Sequence, residues 1–438
     1  MLSIGVGSAG LLTYVYFSLA SHNLDRTSYG EVVVLWSAVF VTISILFRPI
    51  EQLLSRTIAA RQARAEPTGD ALRVAATIQV GLAAAFAVAA LALRGPLEDD
   101  LLSGNSTLYW ILVVAVLAFA ASFFARGFLA GSRRFVLYGS LLLAESTARM
   151  CFALAVAVGI ANGQTAVALG IVAAPVVSLT VVPLAFAGRA VSRRAVPPDA
   201  QADAPQFTLA HGGGFAAAVL LIMTSEQSLL NAGPLIVRGL EGAAAAGFIF
   251  NVLMIARAPL VLFQAVATSL LPHLTRLRAS GAAGDAGAFR ASVRVTLAAI
   301  AGFAALVAVV VAIAGPELMQ LAFGDKFTYD RAGLLIVTAG MGFYLASGTL
   351  NQAALAQGQA RAAAARWVVC AAAFVGWNFV PVFDEFRRVE VGFAGAAALL
   401  CALLYLLYRH PSPRPEDVVA PDSPEEIEAR LAAADEAS

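Results

Sequence analysis

The chain has 438 residues, of which 60% are hydrophobic and 13% charged, with a formal net charge of +1. Soluble chains average about 25% charged residues, so the composition is that of a polytopic integral membrane protein, and the near-neutral balance excludes a nucleic-acid binder. The three cysteines, Cys151, Cys370 and Cys401, all lie in apolar runs and read as small core hydrophobes, with no disulfide or metal framework.

Crossing a bilayer takes about 20 apolar residues, and twelve stretches qualify: roughly 2–20, 30–54, 71–93, 107–129, 136–159, 165–187, 212–236, 244–271, 291–314, 332–353, 363–382 and 390–408. The first is read as a retained helix and not a signal peptide, because no positive n-region precedes it. Residues 188–210, with Pro197, Pro198, Asp199, Asp203 and Pro205, read as a polar cytoplasmic linker between two lobes, 1–187 and 211–408. Residues 409–438, from Pro411, Pro413 and Pro415 to an acidic end, read as a solvated, disordered tail.

Sixteen Arg residues fall in the alternate connections after stretches 2, 4, 6, 8 and 10, against seven Arg and Lys in the others. The positive-inside rule places the richer side, and with it both termini, in the cytoplasm. The expected location is therefore the inner (cytoplasmic) membrane. Anionic lipid contact is secondary for these loops.

The halves echo one another. Gly95-Pro96 followed by Gly104 matches Gly315-Pro316 followed by Gly324, Leu46-Phe47-Arg48 matches Leu262-Phe263-Gln264, and Leu24-Asp25 matches Leu240-Glu241. Six helices per half insert the same way up. The expected fold is all-α, with twelve transmembrane helices in two six-helix lobes related by a pseudo-two-fold along the membrane normal and a substrate path between them.

The second stretch carries Arg48, Pro49, Glu51 and Arg56. A charge at bilayer centre costs roughly 2.5–3.5 kcal/mol on insertion scales, so these side chains are expected to face a polar interior. Arg48 and Glu51 are three apart, and Glu145 and Arg149 four apart, so each couple shares a helix face. They read either as self-satisfied ion pairs or as the lining of a chamber that offers guanidinium to phosphate. Glu226, beside Gln227 and near Asn231, reads as an ion-coupling residue or as the partner of Arg257. Gly5, Gly7, Gly10, Gly340 and Gly342 read as close-packing devices. No nucleotide-binding loop, Ser-His-Asp arrangement or metal spacing is present among His22, His211, His273 and His410, so neither catalysis nor a cofactor is expected.

The run YVYFSLASHNLDRTSYGEVVVLWSAVF, then FRPIEQLLSRTIAAR, resembles the start of the lipid-linked polysaccharide flippases of the multidrug/oligosaccharidyl-lipid/polysaccharide exporter superfamily. The later RGFLAGSRRFVLYGSLLLAESTARM, with Tyr138, Glu145 and Arg149, is similar to their helix 4–5 region. The resemblance implies two six-helix bundles in a V around a central cavity, and translocation of a polyprenyl-pyrophosphate-linked glycan. It implies that Arg48 and Arg149 hold the head group, that Glu51 and Glu145 orient them, that Arg257 contributes from the second lobe and that Glu226 couples an ion. Glycosyltransferases or a polymerase of the same pathway are the candidate protein partners.

Three other functions fit the sequence less well. A cation-coupled multidrug antiporter of the same superfamily needs a first-lobe carboxylate free of an Arg neighbour, and Glu51 and Glu145 each have one nearby in sequence. A membrane glycan polymerase or ligase needs a long outer loop, and a passive scaffold has no use for buried charge.

Overall fold

Membrane helices form where an apolar run meets a capping residue, and the ends here follow that rule. The structure, a computed structural model, describes residues 2–63, 66–181, 183, 209–257 and 285–409. These residues contain helices and turns but no strand. The helices are α1 Leu2–Asn23, α2 Arg26–Leu46, α3 Arg48–Ala63, α4 Gly69–Ala92, α5 Ser106–Gly131, α6 Phe135–Ala157, α7 Gly163–Ser178 and α8 Leu209–Glu241. They continue as α9 Ala243–Arg257, α10 Asp285–Phe323, α11 Arg331–Ala356, α12 Ala360–Trp377 and α13 Glu385–Arg409. Each of the twelve predicted stretches is met by a helix, the second by α2 and α3 together, while 184–187 of the sixth and 258–271 of the eighth lie outside the described residues. The tail beyond Arg409, and the linker apart from its last two residues, lie outside the described residues.

Asp25 caps α2, its Oδ1 accepting from the N–H groups of Thr27 at 2.9 Å and Ser28 at 3.0 Å. Bonds from Ser28, side chain first, and from Thr27 hold the Asp25 carboxyl below its ordinary range. Asn105 caps α5 in the same way, and Asp330 caps α11 through the Gly333 N–H. The break between α2 and α3 falls at the buried Phe47, with Pro49 in the first turn of α3. Proline has no N–H to donate back to the preceding turn, so one long span becomes two helices.

The internal repeat is visible in the packing. In the first lobe α1 packs on α6, α6 on α7, α5 on α7 and α4 on α5; in the second, α8 packs on α12, α12 on α13, α11 on α13 and α10 on α11. Each pair has its counterpart six spans later. The Gly-Pro sites differ between the lobes: the first opens a π-helical turn Pro96–Leu101 after α4, whereas Pro316 lies inside α10, near its end. Gly104 and Gly324 follow with φ of 74° and 90°, values that favour glycine.

The lobes meet where α2 crosses α8 and α9. A Cβ on Gly30 would lie 1.8 Å from the Ala243 carbonyl oxygen, and one on Gly247 would lie 2.9 Å from the Gly30 Cα. Aromatic pairs seal the rest of this boundary: Phe17 with Phe250 at 4.6 Å, Tyr29 with Phe327 at 5.2 Å and Tyr14 with Phe323 at 5.5 Å between ring centroids. Replacing Gly30 by Ala forces two backbones apart and should cost about 1–3 kcal/mol. Thermal unfolding in detergent checks this against Gly7→Ala, where a Cβ meets open space and the change should be neutral or stabilising by roughly 0.5–1 kcal/mol.

Candidate functional site

Tyr138, Glu145 and Arg149 lie on one face of α6, and that face turns toward the other helices of the first lobe. Glu145 is 3% exposed. It accepts from the Ser122 hydroxyl and forms an ion pair with the Arg126 guanidinium, both from α5. The expected pairing of Glu145 with Arg149 is not formed. Arg149, also buried, lays its guanidinium over the Trp36 ring, 4.3 Å from the centroid, and donates to Thr13 Oγ1 at 3.2 Å. A neighbouring helix brings Arg126 to Glu145 head-on, and the aromatic face of Trp36 takes Arg149 instead.

Arg126 reaches this position because α5 approaches α3 closely. Gly127 and Gly131 are four apart, and a Cβ on either would fall within 3.0 Å of the α3 backbone or of Ile58. The same approach brings Arg126 into electrostatic range of Glu51. Glu51 is buried and accepts from the Tyr138 hydroxyl at 2.8 Å. It makes no ion pair with Arg48, its expected orienting partner.

Across the boundary, Glu226 on α8 accepts from the Tyr344 hydroxyl of α11 at 3.1 Å. Arg257 on α9 donates to Asn231 Oδ1 at 3.3 Å, and Asn231 donates to Gln227 Oε1 at 2.9 Å. The expected alternative of a Glu226–Arg257 pair is therefore not formed either. Asn251 is taken by the Tyr29 hydroxyl, and Gln264 lies outside the described residues. Arg48, from the first lobe, lies in electrostatic range of Glu226, and the Tyr344 hydroxyl is in range of both Arg48 and Arg257.

The charged groups thus form one line of alternating sign through both lobes: Arg149, Glu145, Arg126, Glu51, Arg48 and Glu226, with Tyr344 leading to Arg257. Arg48, Arg149 and Arg257 have no carboxylate within ion-pair distance among the described residues, whereas Arg126 does. The predicted residues are therefore brought together, with different partners from those expected. Sequence reasoning missed Arg126, counting it as a loop charge. The small-residue spacing Gly127–Gly131 directly after it was the available signal.

No protein-family model matches the chain, and no curated protein matches it by sequence. Solved structures do match. A point mutant of the Vibrio cholerae MATE transporter VcmN superposes with a TM-score of 0.61 at 15% identity, covering 93% of this chain and 94% of that one. The eukaryotic MATE transporter AtDTX14 gives 0.63 at 14% identity, covering 94% of both. The chain has the MATE transporter fold. A third match within that fold is an inward-facing multidrug resistance MATE family transporter of the MOP superfamily, with a TM-score of 0.62 at 13% identity, covering 91% of this chain and 94% of that one.

Removing Arg126 alone strands the Glu145 charge in an apolar interior. Arg126→Ala should cost about 3–5 kcal/mol, and the double change Arg126→Met with Glu145→Leu should recover most of it. Unfolding temperatures of the parent and the two variants check this. Equal loss in the single and double variants would remove the pairing as the cause.

Proposed function

We propose that this chain is a transporter that flips a polyprenyl-pyrophosphate-linked glycan across the cytoplasmic membrane by alternating access, in the assembly of cell-surface polysaccharide. One observation carries this reading: Arg48 and Arg257 come from opposite lobes to the Glu226–Tyr344 pair, and neither is in an ion pair among the described residues. A guanidinium at bilayer depth without a carboxylate partner is costly, and a pyrophosphate relieves that cost by accepting two parallel bonds from each fork. In this reading Arg48 and Arg257 bind the head group, with Arg149 further into the first lobe. Glu51 and Glu145 hold Tyr138 and Arg126 in place around it. Glu226, the anion that faces Arg48 when no substrate is bound, is the coupling residue.

With the Arg-rich loops on the cytoplasmic side, the sealed α2–α9 end faces outward and loading is from the cytoplasm. Glycosyltransferases of the pathway would supply the substrate and a polymerase would consume the product. A second reading, a cation-coupled multidrug antiporter, draws support from the multidrug transporter among the structural matches and from Glu226. It is weaker because Glu145 is neutralised by Arg126, and a cationic drug would meet three guanidinium groups, of Arg48, Arg149 and Arg257, that have no carboxylate partner among the described residues.

Arg48→Ala and Arg257→Ala should each reduce surface polysaccharide by at least about tenfold, the effect of losing one charge-assisted bond pair, while protein level and unfolding temperature stay unchanged. Arg48→Lys should restore little, because the fork is lost. Surface glycan labelling in a deletion strain complemented with each variant measures this. Normal glycan in both alanine variants, with drug resistance lost in Glu226→Gln, would replace the flippase by the antiporter.

A further inference from the structure

Two polar contacts flank the sealed end, and they are related by the internal repeat. In one, Arg238, near the end of the second lobe's first helix α8, donates through Nε to the Leu101 carbonyl at 3.1 Å and through Nη2 to Ser103 Oγ at 2.9 Å. Leu101 ends the Pro96–Leu101 turn after α4. In the other, Lys326, in the turn after α10, donates to the Leu24 carbonyl just past the end of α1 at 3.1 Å. Each contact therefore joins the first helix of one lobe to the turn after the third span of the other. Each contact includes a carbonyl acceptor at or just past a helical C-terminus, Leu101 or Leu24, which carries partial negative charge.

The local backbone is built for these contacts. Ser103 has φ of 58°, a left-handed conformation that non-glycine residues rarely adopt, and it is this residue's hydroxyl that meets Arg238. Gly324, with φ of 90°, sets its turn against the His22 ring; a Cβ there would stand 3.4 Å from the ring. Lys326 is the sole lysine of the chain. Arg238 and Lys326 keep some solvent access, so their bonds can exchange for water at low cost, unlike the apolar Phe17–Phe250 contact between them.

We propose that Arg238 and Lys326 form a paired latch that holds the α1–α10 and α8–α4 sides of the lobe boundary shut, and that both must release before this end can open. The proposal rests on the transport reading for the purpose of that opening, but closure itself can be measured without substrate. Ser21 is fully buried in α1, on the helix face that carries Tyr14 and Phe17. In a full-length background with Cys151, Cys370 and Cys401 replaced by serine, Ser21→Cys reports opening by its rate of maleimide modification in nanodiscs.

Labelling should be slow in that parent. Lys326→Ala should accelerate it about fivefold, the equivalent of one net hydrogen bond, Arg238→Ala, which loses two, by at least as much, and the double variant by more than either. Lys326→Arg should restore slow labelling, and Arg331→Ala, which removes a more-than-half-exposed pair with Glu317 in the second lobe, should change nothing. Rates within twofold of the parent in both single variants, at unchanged unfolding temperature, overturn the latch; if the double variant unfolds, the single variants and the Lys326→Arg rescue still decide. Unchanged labelling leaves the transport reading standing, whereas faster labelling with normal surface glycan in Arg48→Ala keeps the latch and removes that reading.

Discussion

Every buried guanidinium in this protein has to be answered by a carboxylate, an aromatic face, a neutral polar group or a bound anion. That requirement organises the centre of the molecule. Glu145 answers Arg126, the Trp36 ring and Thr13 answer Arg149, and Asn231 answers Arg257. Arg48 lies in electrostatic range of Glu226 from across the lobe boundary, with no carboxylate at ion-pair distance among the described residues. Because opposite signs alternate along the line, no segment carries a large uncompensated field, and yet three cations keep donor capacity for a ligand. A structure of self-contained ion pairs would have had none to offer.

The line exists because glycines set the helix spacing. Gly127 and Gly131 let α5 lie against α3, and this close approach delivers Arg126 between Glu51 and Glu145. Gly30 and Gly247 let α2 lie against α9, which closes the lobes at one end and so fixes Arg48 opposite Glu226 at the boundary. Van der Waals contact between small residues drives association where there is no water to expel. The break at Phe47 then separates a buried apolar half-span, α2, from the charged half-span α3. Packing at the glycines and electrostatics at the charges are therefore one design: the first sets the distance and the second uses it.

The sealed end shows two kinds of adhesion side by side. Tilted and edge-on aromatic pairs contribute area and are slow to part, while Arg238 and Lys326 act on helix-end carbonyls through bonds that water can replace. A boundary that must open and close is served by such a mixture, since the apolar layer excludes water and the polar contacts bias which state is populated. The repeat places both polar contacts in equivalent slots, so the two sides of the boundary are held alike.

How much of this was legible beforehand depended on range. Helix count, the two lobes and the repeat follow from local hydropathy and from matches such as Gly95-Pro96 with Gly315-Pro316, because a bilayer forces a spanning segment to satisfy its own backbone within about 20 residues. That Arg48, Glu51, Glu145, Arg149, Glu226 and Arg257 belong to one polar interior was also readable, since lipid makes their exposure prohibitive. Their pairing was not. Sequence spacing favoured Glu145 with Arg149, one turn apart, but the nearest opposite charge in space comes from another helix, Arg126. Which donor meets which acceptor depends on interhelical distances of a few ångströms, and these are set by Gly127, Gly131, Gly30 and Gly247 on surfaces that meet only when the whole bundle has assembled.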